Sequence, residues 1–490
     1  MKTAIVIGAG IGGMATGVRL AALGYKVKIF EKNLYPGGKI TDFNLNGYRF
    51  DAGPSLFTMP NLVEDLFVLC GETPNDFFKY KKKEIGCNYF WEDGTFVRAY
   101  TDRKKYLEEI ELKLGVPSSV VLKYLNRAQR KYNLTESIFL KSSLHKLKTY
   151  ANLKTVKALL CFFKLEINTS LHQVNLEQLR EKHLVQMYDR YATYNGSSPF
   201  KTPGIMTIVQ HLESHYGTFI PKKGMNDISK SIYQLAIRQG VEFYFDQKVD
   251  KIITENKKIK GVNANSLFYP ASLVVSNSDI YFTYKKLLKE HKSPKQILSQ
   301  EKSSSAIIFY WGISGIFNQL ELHNILFSDD YVSEFDSIFN KKNIASDNTI
   351  YINITSKDIP EDAPKKSENW FVMINTPSDS GQNWGEIKNT LRSQVVNKIN
   401  RILKCNIEDY IVEEYIMTPP IIENKTQSHQ GALYGSSSND KMSSFLRHPN
   451  FSKKIKNLYF CGGSVHPGGG IPLCLLSAKI VEGLVSSKIK

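Results

Sequence analysis

Three glycines near the start of the chain are spaced for one task. Gly8-x-Gly10-x-x-Gly13 follows directly on the run Ala4-Ile5-Val6-Ile7, and Glu31 stands eighteen residues after the last of them. Gly8 permits a tight turn, Gly10 lets the backbone approach a pyrophosphate, and Gly13 lets the following helix pack on the strand. With Gly12 between them, the free N–H groups and the dipole at the helix start favour an anion there. Glu31 is placed to accept from the ribose hydroxyls of an adenosine, and an acid at that point disfavours a 2′-phosphate. The chemistry is therefore dinucleotide binding. A second glycine-rich string, Gly462-Gly463-Ser464 and then His466-Pro467-Gly468-Gly469-Gly470-Ile471-Pro472, lets the backbone come close to a flat ligand. Pro472 suits a first helical position, where its missing N–H costs nothing. His466 is the one candidate catalytic base in that string, beside the plainer reading that a His before Pro-Gly shapes a loop.

These residues need elements to hold them. Residues 4–7 read as a buried parallel strand, followed by a turn, a helix to about residue 23 and a second strand over 26–30. The α/β pattern returns at 221–280, with a helix over 226–239 stopped by Gly240 and strands at 241–245, 248–254, 261–262 and 272–276. It returns again at the C-terminus as a strand, the glycine turn and a helix over about 473–485. The intervening stretches differ. Residues 76–219 read as mostly helical, with a long span from 103 to about 190. Residues 286–449 mix strands (306–311, 349–354, 370–375) with a helix near 386–403. The expected fold is thus α/β, a discontinuous Rossmann-type dinucleotide domain built from 1–75, 220–285 and 450–490. An α+β substrate domain is inserted as 76–219 and 286–449.

A chain of 490 residues with 42% hydrophobic and 23% charged residues is globular and long enough for two or three domains. Its six cysteines are scattered without a C-x-x-C, which argues against a disulfide scaffold or a zinc ribbon and fits a reducing compartment. No metal site is expected. No apolar run reaches the ~18–20 residues that span a bilayer. The opening stretch is broken by five glycines before Arg19, unlike a signal peptide.

The net charge of +17 is concentrated: residues 76–219 carry 23 Lys and Arg against 14 Asp and Glu. There Leu147, Tyr150, Leu153, Val156, Leu160 and Phe163 recur at helical spacing, flanked by Lys146, Lys148, Lys154, Lys157 and Lys164. This is the make-up of an interfacial helix on an anionic membrane, and equally of a surface helix packing its stripe on the core. No nucleic-acid motif accompanies the charge.

The segment after Glu31-Lys32 narrows the cofactor. Pro36-Gly37-Gly38-Lys39 is succeeded by Gly47-Tyr48-Arg49-Phe50-Asp51-Ala52-Gly53-Pro54-Ser55, and this combination resembles the FAD-dependent amine-oxidase and carotenoid-desaturase superfamily. The resemblance implies FAD in an amine-oxidase/GDI-like two-domain architecture. It makes Lys32, Gly38, Lys39, Gly53, Pro54 and Ser55 neighbours of the FAD and sets Val249 against the adenine. By the same resemblance Gly463, Gly470, Ile471 and Pro472 lie at the flavin, where the helix dipole would stabilise negative charge on its reduced form.

The string from Gly462 to Pro472 resembles carotenoid desaturases, and the run Phe50 to Pro60 looks most like bacterial 1-hydroxycarotenoid 3,4-desaturases. Ser464 stands where the wider flavin oxidases more often carry an acid. Asp189, Arg190 and Tyr194 fall where the family places substrate-side residues, and the 431–435 segment echoes it more loosely.

The implied activity is dehydrogenation of a C–C bond beside a polyene, at C-3,4 of a 1-hydroxylated acyclic or monocyclic carotenoid. Such a reaction passes through a delocalised cation and needs no strong base. The implied partners are a carotenoid, an anionic membrane surface at the inner face of the cytoplasmic membrane, and oxygen or a quinone as electron acceptor. Rival readings are a phytoene desaturase, an amine or protoporphyrinogen oxidase, and a non-redox lipid carrier of the GDI type.

Overall fold

The computed structural model describes residues 2–140, 142–146, 165–440 and 446–488. Its first layer is a five-stranded parallel sheet in the spatial order Leu458–Phe460, Leu273–Ser276, Thr3–Ile7, Lys26–Phe30 and Glu242–Tyr244. Strand alternation gives each face its own partner. Ala4, Val6, Ile29 and Val275 face a helical layer in which helix Ile11–Ala22 packs against helices Asn226–Arg238 and Ile471–Ser486. Ile5, Ile7, Val274 and Phe460 face a three-stranded antiparallel sheet, Val249–Glu255, Lys258–Ala264 and Leu267–Pro270. Because the strands are parallel, their C-terminal ends share one edge. Gly8, Glu31, Asn277 and Cys461 follow four of the strands there, at the crevice where open α/β sheets take ligands.

The second layer is a seven-stranded mixed sheet. Its spatial order is Ile411–Met417, Ser305–Ile313, Glu368–Thr376, Ile350–Ile354, His323–Leu326, Ile85–Phe90 and Phe96–Tyr100. Residues 85–100, expected inside a mostly helical stretch, therefore form strands that join the sheet built by 305–417. The long helical span is interrupted at Gly115, in the left-handed region at φ 66°, between helices Arg103–Leu114 and Ser118–Phe139. Helices Leu171–Leu179 and Lys182–Asp189 follow later. The amphipathic stripe from Leu147 to Phe163 lies outside the described residues. Among the described residues no helix is long and apolar enough to cross a membrane.

Register decides what this sheet does. Met417, Ile308, Met373, Tyr351 and Ile325 are successive cross-strand partners and form one row on one face. The opposite face presents Phe309, Trp311, Val372, Ile352 and Leu326 to helix Trp384–Leu403, burying Leu391, Val395 and Ile399. That outer face is a packed core, and the inner face walls a cavity. Leu391→Ala is expected to destabilise the fold by about 2–5 kcal/mol through the cavity it leaves. The urea midpoint should fall while the inner face, and binding there without denaturant, are unchanged.

Candidate active site

The first cavity lies at the shared strand edge. No side chain caps helix Ile11–Ala22, whose N-cap is Gly10, so its first-turn N–H groups are left for a ligand. The glycines there have no room for anything larger. A Cβ on Gly10 would sit 2.8 Å from Asn277 Nδ2, and one on Gly12 2.9 Å from Asn277 Oδ1. One on Gly13 would run into the Gly8 carbonyl oxygen. Gly38, at φ +62°, lies against Gly10, where its Cβ would come within 3.2 Å of the Gly10 Cα.

Glu31 is buried at the end of its strand. Its Oε2 accepts from the Ala9 N–H at 2.8 Å and its Oε1 from the Asn33 N–H at 3.0 Å. Lys32 and Val249 line the same cavity. Asn277, which no motif marked, holds the turn: its N–H donates to the Ile7 carbonyl at 2.8 Å and its Nδ2 to that of Gly8 at 3.4 Å. A cradle in which backbone atoms approach this closely, with an uncapped helix start and a carboxylate at the far strand, fits a dinucleotide.

A second cavity adjoins the first, and Lys39, Leu433, Gly469, Gly470 and Cys474 line both. The crossing is a backbone contact, since a Cβ on Gly53 would collide with the Lys39 carbonyl oxygen. Gly53, Pro54, Ser55, Ile471, Pro472 and His466 face the second cavity, and Gly463 the first. Lys39 Nζ donates to the Leu433 carbonyl at 2.7 Å, and burial holds its pKa below the ordinary lysine value. The loop carrying Leu433 and Tyr434 is held by buried Arg447, which donates to the carbonyls of Tyr434 at 2.8 Å and Ser436 at 2.7 Å. Burial pushes Arg447 down to about 10 and the Cys474 thiol up to about 11. Ser464 Oγ accepts from the Ile280 N–H at 2.9 Å, which gives this residue a local capping partner.

His466 is buried, and its Nε2–H donates to the Ser142 carbonyl at 2.9 Å. Burial pushes the imidazole down to about 4, so it is neutral at pH 7 and a poor proton acceptor.

Of the three residues expected on the substrate side, the structure brings two to the second cavity. Arg190 and Tyr194 line it, but Asp189 does not. Asp189 ends helix Lys182–Asp189 and points about 100° away from Arg190 around the axis, toward the preceding helix. There it pairs with His172 Nδ1 at 2.6 Å and accepts from Asn175 at 2.8 Å. Arg190 donates to the hydroxyls of Tyr89 at 2.7 Å and Tyr194 at 2.8 Å, and to Glu213 at 3.0 Å. Tyr194 donates to the same carboxylate at 2.5 Å. Glu213 is the only acid lining this cavity among the described residues, and it is fully engaged. Tyr351 and His323, also on its wall, come from strand alternation that a run apolar on both faces conceals.

Comparison with known proteins agrees with this geometry. Residues 11–307 match the model of the family described as flavin containing amine oxidoreductase, and the chain belongs to that family. It is an oxidoreductase whose dinucleotide is FAD. Over 485 residues it is 50% identical to a 1-hydroxycarotenoid 3,4-desaturase of Flavobacterium sp. (strain P99-3), covering 99% of each chain. It is 31% identical to a 4,4'-diapolycopene oxygenase of Methylomonas sp., covering 99% of this chain and 98% of that one. Among solved structures, an oxidoreductase from Methanosarcina mazei shares the fold with a TM-score of 0.64 over all of both chains, at 15% identity.

Two outcomes follow from the site. Gly53→Ala forces Lys39 and its loop apart, so the purified variant is expected to lose most of its flavin absorbance at 450 nm or thereabouts while remaining folded by circular dichroism; full flavin content would contradict the contact. The unfolded His466 titrates near 6.5 and the folded one near 4. Between these values only the unfolded chain takes up the proton, so acidification works against the fold. The unfolding midpoint of the wild type relative to His466→Gln should therefore drop from pH 7 to pH 5. A constant difference would show that the imidazole is not held neutral.

Proposed function

We propose that this chain is an FAD-dependent carotenoid desaturase that forms a C=C bond beside a polyene, at C-3,4 of a 1-hydroxylated acyclic or monocyclic carotenoid. The observation that carries the reading is the second cavity, walled by an apolar sheet face and meeting the FAD cavity at Lys39 and Gly470. Half of all positions shared with a 1-hydroxycarotenoid 3,4-desaturase support the particular bond. An amine substrate fits the wall poorly, because the one acid lining it among the described residues is already shared by Arg190 and Tyr194.

FAD, when bound, accepts a hydride from the substrate carbon. The neighbouring carbon gives up a proton, so the substrate loses two hydrogens and two electrons. The chain's own part is to position and to exclude water. Ile308, Phe371, Met373 and Met417 offer a smooth apolar floor on which a rigid polyene lies flat, and the loop from Gly53 to Ser55 sets where the reacting end stops. Positive charge that develops on the polyene meets a wall whose one carboxylate among the described residues is already paired with Arg190, so delocalisation along the conjugated chain carries most of the stabilisation. The proton leaves without a strongly basic side chain, since His466 is neutral and weakly basic.

We further propose that the lysine-rich segment 137–165 binds an anionic membrane surface, at the inner face of the cytoplasmic membrane, and that oxygen or a quinone takes the electrons. A substrate without aqueous solubility supports a membrane-side entrance.

The test is anaerobic incubation in liposomes with a 1-hydroxylated carotenoid and, separately, with phytoene. Bleaching of the flavin and a red-shifted polyene spectrum are expected with the hydroxylated compound alone. Turnover of phytoene alone would move the activity to an earlier desaturation, and no bleaching with either would overturn the desaturase reading.

A further inference from the structure

We propose that a corner of the FAD-binding layer, built by Lys257, Lys258, Lys453, Lys454 and Lys456, binds the headgroups of an anionic lipid surface. It adds a second, separate contact to the membrane surface proposed above for segment 137–165, and rests on that reading.

Two short stretches of like sequence make the corner. Lys258-Ile259-Lys260 opens the second strand of the three-stranded sheet, and Lys454-Ile455-Lys456 comes just before strand Leu458–Phe460. The two are bridged in parallel at Lys258 and Lys456. The Ile259 N–H donates to the Lys456 carbonyl at 3.2 Å, and the Lys456 N–H to that of Lys257 at 2.8 Å. Ile259 and Ile455 are buried in one core cluster, the one between the parallel sheet and the three-stranded sheet. With each isoleucine held in the core, the lysines on either side of it stand exposed, as do Lys257 and Lys453. Backbone bonds and two buried side chains therefore fix where these ammonium groups are presented.

Their charge is not balanced locally. Residues 256–260 and 446–460 contain no acid. Glu255, the acid next along the chain, is spent on Lys260 at 2.6 Å, and among the described residues no carboxylate pairs with any of the five lysines of the corner. Like charges gathered in this way repel one another, and a surface of opposite charge relieves them. Each lysine brought to an anionic leaflet strengthens binding about 5-fold.

The neighbourhood favours lipid over nucleic acid. Lys146 Nζ lies 4.8 Å from the ring centroid of Phe451, two residues before Lys453. Burial and then the Lys453 ammonium hold the His145 imidazole below its ordinary value, which places the corner beside residues 145–146. Leu140 and Leu144, a few residues earlier, line the second cavity. The stretch that walls the apolar chamber thus abuts the lysine corner. A chain resting on that corner brings the chamber wall to the bilayer, where a hydrocarbon substrate is dissolved, and a nucleic acid gains nothing from such a neighbour.

The test is flotation of the flavin-replete full chain with vesicles of phosphatidylcholine, alone or with about a third of phosphatidylglycerol. The wild type should float with the anionic vesicles. The variant carrying Lys453→Gln, Lys454→Gln and Lys456→Gln should bind them about 10–100-fold more weakly and keep full flavin absorbance. Should it lose flavin, Lys257→Gln with Lys258→Gln serves, and its binding should fall about 10-fold. A variant with Lys148→Gln, Lys154→Gln and Lys157→Gln reports on segment 137–165 separately. A flavin-replete corner variant that binds as the wild type does overturns the proposal, and the membrane reading stands if the segment variant alone is weakened. A wild type that ignores anionic vesicles, or binds duplex DNA in their place, overturns both, whatever the outcome of the desaturation assay.

Discussion

The crossing of the two cavities has to hold its shape, and one guanidinium holds it. Arg49 lies in the hairpin Asp42–Leu45 and Tyr48–Asp51, between the Gly37-Gly38-Lys39 strap and the loop from Gly53 to Ser55. It reaches Asp51 at 2.7 Å, Asp362 at 3.1 Å and Asp42 at 3.2 Å. Asp51 in turn accepts from the N–H groups of Met225 and Asn226 at the start of a helix of the FAD layer. Asp362 belongs to the substrate layer, where Asn369 donates to the Arg49 carbonyl at 2.6 Å. Three chain segments far apart in sequence are thereby tied at one partly buried charge cluster, where removing a single partner strands the others. The contact of Gly53 with the Lys39 carbonyl lies beside that tie in the chain, two residues after Asp51.

Given a rigid crossing, the seven-stranded sheet can afford an inner face that is not packed. Its outer face supplies a continuous core with helix Trp384–Leu403, so the row from Met417 to Ile325 is free to line a chamber instead of filling one. The polar groups in this apolar wall are satisfied in closed sets. Arg190 lies over the rings of Tyr89, Tyr191 and Tyr194 at 4.4–5.4 Å from their centroids and is neutralised by Glu213. That cluster joins strand Ile85–Phe90 to the turns around 190–195 and 212–216.

The FAD half of the molecule was legible because its glycines have positional meaning. Gly10, Gly13 and Gly53 each stand where a Cβ would meet backbone or a fixed amide, and Gly8 turns at φ +97°, so a motif at that spacing carries its geometry with it. The substrate half was much less legible. Strand Ser305–Ile313 carries no charged residue and is apolar on both faces after Ser305, because one face meets a core and the other a lipid-like cavity, and alternation vanishes. Asn277 and Arg447 act through bonds to carbonyls of distant turns, which leave no local signature. Asp189 and Arg190 are adjacent in sequence and diverge by a helical step, so proximity in the chain assigned both to a cavity that only one reaches.

Burial itself has a chemical consequence at this site. In the proposed reaction a hydride leaving a hydrocarbon would put positive charge on the polyene, and a fixed cation beside it would oppose the step by an amount that grows as the surroundings become less polar. The basic groups around the chamber avoid this in three ways. His323 and His466 are held neutral by burial, at about 3 and about 4. Arg190 is paired with a carboxylate, and Arg447 is bound to backbone carbonyls whose dipoles point at it. Lys39 spends its ammonium on the Leu433 carbonyl, with the buried Asp279 carboxyl as its nearest counter-charge. The chain as a whole is strongly basic, yet the lining of the chamber is electrostatically quiet. The same desolvation that makes the wall receptive to a hydrocarbon keeps its imidazoles uncharged.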